Sequence, residues 1–119
     1  MNDNIFWLFE VEIKDGQYDS FKSLMEEMVA ATQANEPGAL NYEWYISEDK
    51  TKCSIYERYA DSGAVLAHLG NFGKNYAGRF MSMVKVRNFT VYGDPNEAAS
   101  NALTGAGAKI IGRWGGFVR

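Results

Sequence analysis

The chain has 119 residues, enough for one domain, and its formal net charge is −3. Lys and Arg are scattered and form no basic stripe, which argues against nucleic acid as a partner. The single cysteine, Cys53, rules out an internal disulfide, and one Cys with one His is too few for a structural zinc site. No segment approaches the run of about 20 apolar residues that a membrane span needs, and no signal-peptide pattern is present. We therefore predict a cytoplasmic protein with no metal, membrane or nucleic-acid partner.

The first predicted strand runs from Ile5 to Lys14, and its first half is apolar on both faces. The residues that share one face are Ile5, Trp7, Phe9, Val11 and Ile13. Phe6 and Leu8 begin the other face, and a strand with this pattern belongs in a sheet that is covered on both sides. From Tyr18 to Asn35 the apolar period becomes 3.6 residues, which predicts an amphipathic helix.

A hairpin is predicted next. Pro37-Gly38 favours a turn after the helix, because Pro fixes φ and Gly accepts a positive φ. Apolar and polar residues then alternate from Leu40 to Ser47 and again from Cys53 to Tyr59, on either side of a polar loop. The two runs therefore predict an antiparallel pair of strands.

A helical region from Asp61 to about Met83 follows, with a predicted break near Gly70-Asn71, and a fourth strand runs from Val84 to Tyr92. The order β-α-β-β-α-β predicts a ferredoxin-like fold of the α+β class, with a four-stranded antiparallel sheet and helices on one face. The opposite face carries apolar side chains that a monomer would expose to water. We therefore expect a homodimer formed through the sheet.

We predict that residues 1–93 form this domain and that residues 94–119 form a C-terminal extension. A short helix is predicted from Asn96 to Leu103, and the Gly-rich segment from Thr104 to Ala108 is predicted to be a flexible connector. The end of the chain is too apolar for a free tail, so we expect it to dock on the core or on the partner subunit. The apolar residues concerned are Ile110, Ile111, Trp114, Phe117 and Val118.

An ordered set of residues in the middle of the chain resembles the antibiotic biosynthesis monooxygenase family, part of the dimeric α+β-barrel superfamily. The family pattern is a Pro-Gly turn, a strand with an aromatic, a hairpin, a strand ending in Glu-x-aromatic, an acidic cap, an Ala-His pair and a later helical aromatic. The residues that match it are Pro37-Gly38, Tyr42, Glu57-Arg58-Tyr59, Asp61, Ala67-His68 and Phe72. The resemblance covers about residues 4 to 93.

The resemblance implies a homodimer whose two sheets pack into a barrel, with a pocket between helices and sheet in each subunit. It implies a cofactor-independent monooxygenase of phenols or quinols, a haem-degrading enzyme, or a protein of no proven activity. The haem-degrading members have a Trp on the helix after the hairpin and a His further on, whereas here that helix carries His68 and no His follows. No flavin or dinucleotide motif is present either, so no cofactor is predicted.

His68 and Tyr76 are the predicted catalytic residues. An unperturbed imidazole pKa of about 6.5 suits a general base, and removal of a phenolic proton makes a substrate electron-rich enough to reduce O₂. The Tyr76 hydroxyl would hold a substrate oxygen. A structural alternative stays open for each residue: His68 as a helix-face histidine bonded within the fold, and Tyr76 as a half-buried aromatic with a wet tip.

Glu57 shares a strand face with apolar residues, so its carboxylate needs a partner or has a raised pKa. It is a predicted substrate-binding residue that could also act as an acid or a base, and the structural alternative is an ion pair with Arg79 or Arg87. The other predicted substrate-binding residues, each with a core or interface role as its alternative, are Asn41, Tyr42, Trp44 and Phe72.

Two functions of different classes follow from these observations. The first is a cofactor-independent monooxygenase, an oxidoreductase acting on a small aromatic, phenol or quinol. The second is a non-catalytic dimer of the same fold that binds a small ligand or is associated with stress. The second stays open because, beyond His68, few groups in the sequence move a proton at neutral pH.

Overall fold

A computed structural model describes residues 2–119 of the chain. Met1, which falls in the predicted first domain, lies outside the described residues. The strands are β1 (Ile5–Ile13), β2 (Ala39–Ile46), β3 (Lys52–Tyr59), β4 (Val84–Tyr92) and β5 (Lys109–Ile111). The helices are α1 (Tyr18–Asn35), α2 (Ser62–Asn75), α3 (Ala77–Met83) and α4 (Glu97–Gly105).

The strands form one sheet in the order β2-β3-β1-β4-β5. The first three pairs in that order are antiparallel, which confirms the predicted ferredoxin-like α+β fold. The prediction of a four-stranded, wholly antiparallel sheet was one strand short. β5 adds to β4 in parallel, with Val91 opposite Ile110, and makes the sheet mixed. A strand of three residues is too short to give a readable period of two.

All the helices pack on one side of the sheet, here called the helix face. Along β1, the residues that point to the helices are buried except for Phe9, and the residues between them are half-buried. Val11 of β1 joins Phe21 of α1 and Phe80 of α3 in one apolar cluster. Trp7 of β1 joins Val65 of α2 in a second cluster, which also contains residues of α4. The two clusters together form a continuous layer between sheet and helices.

The other side of the sheet, here called the bare face, carries the alternate residues of the same strands. Its centre is aromatic, because Phe6 stacks on Tyr92 with 5.1 Å between ring centroids and lies 5.7 Å from Tyr56. Its polar part is held by Arg58, whose guanidinium donates to Asn4 and, at 2.8 Å, to Asn41. This face is therefore aromatic at the centre and polar towards the β2 edge.

The helical region after the hairpin divides later than the sequence indicated. Asp61 caps α2 by accepting the Ala64 backbone N–H at 2.9 Å, and the helix continues through Gly70-Asn71 to Asn75. The backbone departs from helical geometry at Tyr76, with φ −130° and ψ −25°. The predicted break at Gly70-Asn71 was wrong, because the Asn71 side chain donates to Glu36 and does not cap a new helix.

The C-terminal extension contributes to the same core. Ala99 and Leu103 of α4 are fully buried in the cluster that contains Trp7. The helix runs through Gly105 into the segment predicted to be a connector, and Gly107 then takes a φ of +95° that favours glycine. Beyond β5, Trp114 is fully exposed. Among the described residues, no helix combines the length and apolar character needed to cross a membrane.

Candidate active site

A cavity of about 70 Å³ lies between the helix face of the sheet and the helices. Most of its walls are apolar rings and aliphatic chains, among them Trp7, Phe9, Ile55, Phe72, Phe80 and Phe89. The polar side chains that line it are Tyr42, Glu57 and His68. The cavity is therefore an apolar chamber with one small polar patch, the usual composition of a ligand site. We call it the inner cavity.

His68 stands at the centre of that patch and is almost completely buried, with 6% of its surface exposed. Its Nδ1 lies 2.9 Å from Oε1 of Glu36, and its Nε2 lies 3.1 Å from Oε1 of Glu57. Both ring nitrogens therefore face carboxylate oxygens, which only accept hydrogen bonds when they are ionised. Only imidazolium carries an N–H on both nitrogens, so two facing carboxylates favour the protonated ring; of the two contacts, the one between Nδ1 and Glu36 has hydrogen-bond geometry.

The pKa of His68 agrees with this geometry. Burial by itself would lower the pKa, but the hydrogen bonds to Glu36 and Glu57 and the charges of both carboxylates raise it to about 9. For Glu36, burial alone would raise the pKa, and the hydrogen bond and charge of His68 outweigh burial and lower it. At neutral pH His68 is therefore a cation and a proton donor. The sequence-based reason for a general base, a pKa near 6.5, does not hold in this environment.

Glu36 reaches His68 because of how the chain turns after α1. It is the C-cap residue of that helix, and its backbone N–H donates to the Thr32 carbonyl at 2.9 Å. The turn that follows lies directly on α2, since a Cβ built on Gly38 would be 2.6 Å from the Cβ of Ala64. Ala64 and His68 are four residues apart and share a helix face. Close packing of Gly38 on Ala64 therefore brings Glu36 against His68.

Glu57 reaches the same point from the sheet. On β3 it lies directly opposite Trp7 of β1 and Tyr42 of β2, and all three side chains line the inner cavity. Its Oε1 also accepts the Tyr59 hydroxyl at 2.7 Å. The alternative of an ion pair with Arg79 or Arg87 was wrong: those arginines pair with Glu27 and Glu12 respectively.

The tyrosines around the carboxylates stay protonated. Burial, followed by the charges of Glu57 and Glu36, raises the pKa of Tyr42 far above its usual value. Burial and the charge and hydrogen bond of Glu57 do the same for Tyr59. Their rings enclose the imidazole, with centroids 5.3 Å and 5.0 Å from that of His68. Both hydroxyls therefore stay protonated, and that of Tyr59 donates to the buried carboxylate of Glu57.

The comparison with protein families concerns this same stretch of chain. The sequence model of the family described as antibiotic biosynthesis monooxygenase matches residues 5–72, more than half of the chain. The chain belongs to the antibiotic biosynthesis monooxygenase family. The resemblance predicted from the sequence is confirmed, and the matched region contains Glu36, Glu57 and His68. Among curated proteins, no sequence matches this one.

Solved structures share the fold at low sequence identity. MupZ from Pseudomonas fluorescens is 22% identical, with a TM-score of 0.85 over 100% of this chain and 91% of its own. Rv0793 from Mycobacterium tuberculosis is 22% identical, with a TM-score of 0.67 over 80% of this chain and 98% of its own. A mutant of SnoaB, a cofactor-independent oxygenase from Streptomyces nogalater, is 16% identical, with a TM-score of 0.65 over 79% and 95%. MupZ thus shares the arrangement of the extension as well as the family domain.

Within this family fold, the predicted site residues divide into two groups. His68, Glu57, Tyr42 and Phe72 meet at the inner cavity. Asn41 lies on the bare face, where its amide donates to Glu43 and accepts from Arg58. Trp44 packs beside Tyr42 at 5.6 Å between ring centroids but faces a separate hollow between α1 and β2. Tyr76 is half-buried under the Arg79 guanidinium and does not line the cavity.

Sequence reasoning missed two residues of the site. Glu36 precedes Pro37-Gly38 and has the appearance of an exposed loop residue, yet it is buried against His68 and Asn71. Trp7 was assigned to the strand core, and its ring forms a wall of the inner cavity 6.3 Å from the imidazole. The sequence did contain one signal for Glu36. This residue lies between the predicted helix Tyr18–Asn35 and the Pro-Gly turn, and a tight turn keeps the residues beside it close to the helix end.

The remaining polar chemistry of the described chain is sparse. Cys53 is buried, and burial raises the pKa of its thiol to about 11, so it is not a nucleophile at neutral pH. Residues 2–119 contain no cluster of three or more His, Cys, Asp or Glu side chains arranged to hold a metal ion. Glu36, His68 and Glu57 lie in series, with the imidazole between the two carboxylates, and do not converge on a common point.

Proposed function

We propose that the protein is a cofactor-independent monooxygenase that oxidises a small phenol or quinol in the inner cavity. The observation that carries the proposal is the Glu57–His68 pair, an acceptor and a charged donor 3.1 Å apart on the wall of an otherwise apolar chamber. Family membership supports it. The fold similarity to SnoaB, itself a cofactor-independent oxygenase, is consistent with the same chemistry.

The substrate supplies the electrons in this reaction. A hydroquinone and O₂ give a hydroxyquinone and one water: one oxygen atom enters a ring C–H position, and the other leaves as water. No external reductant is needed. The slow step without a catalyst is electron transfer from the neutral quinol, and loss of the O–H proton makes the ring a far better electron donor. The protein therefore has to accept a proton in a dry site and stabilise the anion that forms.

Glu57 is the proton acceptor in this scheme. Its carboxylate lines the cavity between Trp7 and Tyr42, where a ring hydroxyl would meet it. His68 is the charged hydrogen-bond donor that holds Glu57 and offsets the negative charge of the substrate anion. Glu36 is a positioning residue, because it touches His68 and does not line the cavity. Phe72 and Phe80 exclude water from the chamber.

The working unit we propose is a homodimer formed through the bare face. A sheet whose uncovered side stacks Phe6 on Tyr92 exposes aromatic area that a second copy would bury. In that assembly Asn41 and Arg58 lie at the interface and not at the inner cavity. The exposed Trp114 and Phe117 of the extension are available for contact with the partner subunit.

The test is oxygen uptake by the purified protein with a panel of substituted hydroquinones, followed by mass spectrometry of products formed under ¹⁸O₂. One labelled oxygen per product establishes monooxygenation, whereas unlabelled quinone with hydrogen peroxide indicates a simple oxidase. Glu57→Gln is expected to lower kcat by a factor of about 100 or more, the usual effect of removing a general base. Glu43→Gln, on the bare face, is the matched control and keeps the wild-type rate. Wild-type rates in both Glu57→Gln and His68→Gln would refute the proposed roles.

A second candidate is a non-catalytic dimer that binds a small apolar ligand. The observation that favours it is the sparse set of groups that can move a proton: the polar side chains that line the inner cavity are Tyr42, Glu57 and His68, and the tyrosine and the imidazolium hold their protons at neutral pH. One result distinguishes the two candidate functions. A quinol that shifts the melting temperature of the protein without any oxygen uptake above the uncatalysed rate identifies the second.

A further inference from the structure

The inner cavity reaches the surface at one place, here called the mouth. Of the described residues that line the cavity, Met81 and Ala106 alone are exposed, and all the others are buried or half-buried. Met81 lies on α3, and Ala106 is the C-cap residue of α4. A ligand therefore reaches the Glu57–His68 pair by passing these two side chains.

A groove of about 300 Å³, here called the outer groove, continues the inner cavity at the mouth. The two spaces share four lining residues, which form a neck between them: Phe9, Met81, Phe89 and Ala106. None of the four has a polar side chain. A charged group would lose its hydration in this neck without gaining a hydrogen bond from a side chain. The part of a ligand that lies in the neck is therefore apolar.

The two sides of the mouth differ in how firmly they are held. The Ala106 N–H donates to the Ala102 carbonyl at 3.1 Å and to the Leu103 carbonyl at 3.0 Å, and Leu103 is fully buried in the core. Met81 has a long, unbranched side chain that is 44% exposed and can adapt its shape. Ala106 is therefore a fixed edge of the mouth, and Met81 is its adjustable edge.

The mouth is built from sequence that the family model does not match. That match ends at residue 72, whereas Met81 lies on α3 and Ala106 lies in the C-terminal extension. The walls around Glu57 and His68 thus come mainly from the matched region, and the opening comes from the residues that follow it. The width of the opening is therefore a feature of this chain's own C-terminal part.

We infer that Met81 and Ala106 set the width of the mouth and make the protein selective for an aromatic ligand with a single unbranched apolar chain. The ring lies in the inner cavity, and the chain passes through the neck into the outer groove. An unbranched chain is narrow along its whole length, whereas a branch next to the ring widens the ligand at the neck. The inference rests on the proposed function in placing the ring beside Glu57. It makes Met81 and Ala106 specificity-determining residues.

The affinities of two isomeric phenols test this selectivity without turnover. 4-Pentylphenol and 4-(1,1-dimethylpropyl)phenol have the same formula and differ only in branching next to the ring. By isothermal titration calorimetry, we expect the wild-type protein to bind the unbranched isomer about 10-fold tighter. Met81→Ala widens the mouth and is expected to reduce this preference to about 2-fold or less. Met25→Ala, in the separate hollow between α1 and β2, is the matched control and keeps the preference.

Association rates test the position of the mouth. Ala106→Leu narrows it, and the φ of Ala106, −86°, is one that larger residues also adopt. We expect 4-pentylphenol to associate about 10-fold more slowly with this variant in stopped-flow tryptophan fluorescence, in which Trp7 is the cavity-wall reporter. Adding Met81→Ala to the variant restores the rate. Ala98→Leu, at an exposed position of the same helix outside both spaces, is the matched control and keeps the wild-type rate.

Several results would overturn the inference. Equal affinities of the wild type for the two isomers, or no binding of either, exclude selection by width. A wild-type association rate in Ala106→Leu places the entrance elsewhere, and equal slowing in Ala98→Leu assigns the effect to α4 as a whole. Oxygen uptake with unsubstituted hydroquinone decides the proposed function separately. Binding with the expected preference but without oxygen uptake refutes the reaction and leaves the mouth standing, and oxygen uptake without the preference does the reverse.

Discussion

Nδ1 of His68 lies 2.9 Å from Oε1 of Glu36, a residue 32 positions earlier in the chain. This contact joins the end of α1 to the middle of α2, and the other imidazole nitrogen joins α2 to Glu57 on β3. The site is therefore a cation held between two carboxylates, with one net negative charge when all three are ionised. Its chemistry is that of a preset ion-pair network and not that of a free imidazole base.

The first prediction concerns stability against pH. The folded-state pKa of His68, about 9, is raised above the unfolded value of 6.5, so its contribution to stability is complete below about pH 6.5 and is lost as pH rises through about 9. A shift of this size corresponds to a contribution on the order of 3 kcal/mol. Urea unfolding at pH 6.5, 7.5 and 9 measures the decline. His68→Gln is expected to be less stable at pH 6.5 and nearly flat across the same range.

The pH range of that experiment has an upper limit. Burial also raises the pKa of the Cys53 thiol to about 11 from 9, and this group lowers stability above about pH 9, because the unfolded chain then loses the proton first. Measurements at or below pH 9 therefore isolate His68. An unfolding free energy that does not change between pH 6.5 and 9 in the wild type would show that His68 is not held as imidazolium.

The second prediction concerns the source of that pKa. Glu36→Gln removes a charged acceptor from Nδ1 and leaves burial in place, so the pKa of His68 is expected to fall by about one unit or more. NMR titration measures it directly, because His68 is the only histidine and its ring signals need no assignment. Glu43→Gln is the control, since that carboxylate bonds to Asn41 and Tyr45. An unchanged titration in Glu36→Gln would assign the shift to Glu57 alone.

Periodicity carried most of the fold. In β1 to β4 and in α1, the burial of each residue follows the period of its own strand or helix. These elements can therefore be predicted from the sequence. The point at which the second helical region divides could not be predicted from periodicity. Gly70 has nothing within 4 Å of its missing side chain and stays helical, and the chain bends instead at Tyr76. β5 was not predicted, because the position of a three-residue strand is determined by the edge of β4 with which it pairs and not by its own sequence pattern.

The residues of the candidate site also divide into those that the sequence could identify and those that only tertiary packing brings in. Glu57 was identified from its phase on a strand, and Tyr42 and His68 were identified from the family resemblance; the structure brings all three to one cavity. Asn41 has the opposite phase to Tyr42 on the same strand, and it faces the other side of the sheet. Glu36 belongs to no periodic element. Its burial is produced by α2 packing on a turn, which is tertiary information.

The third prediction tests that packing. Gly38→Ala places a Cβ 2.6 Å from the Cβ of Ala64, a contact that forces the turn or α2 to move. We expect it to destabilise the protein by about 1–3 kcal/mol, the usual cost of overpacking. Because the displaced turn carries Glu36, the pKa of His68 is expected to fall as well. Chemical unfolding and the NMR titration described above measure the two effects.

Two further variants test whether the loss of stability and the lower pKa of His68 both arise from the contact with Ala64. Gly73→Ala on α2 has open space around its Cβ and is expected to stabilise the helix by about 0.5–1 kcal/mol. Combining Gly38→Ala with Ala64→Gly removes the clash at the cost of about 1 kcal/mol for a helical glycine, so the pKa of His68 should recover before stability does. If the double variant titrates like Gly38→Ala, the turn is not what positions Glu36.

The fourth prediction concerns the bare face. Leu8 lies at the middle of β1 on that face, opposite Tyr56 and Thr90 on the neighbouring strands. In the proposed homodimer Leu8→Glu buries a carboxylate without a partner, so the variant is expected to sediment as a 13.3 kDa monomer where the wild type sediments at twice that mass. Ile46→Glu, an exposed isoleucine opposite Cys53 on the helix-face side, is the matched control and stays dimeric. A wild-type protein that is monomeric at micromolar concentration would contradict the proposed homodimer. The aromatic side chains at the centre of this face would then have no partner surface to cover them.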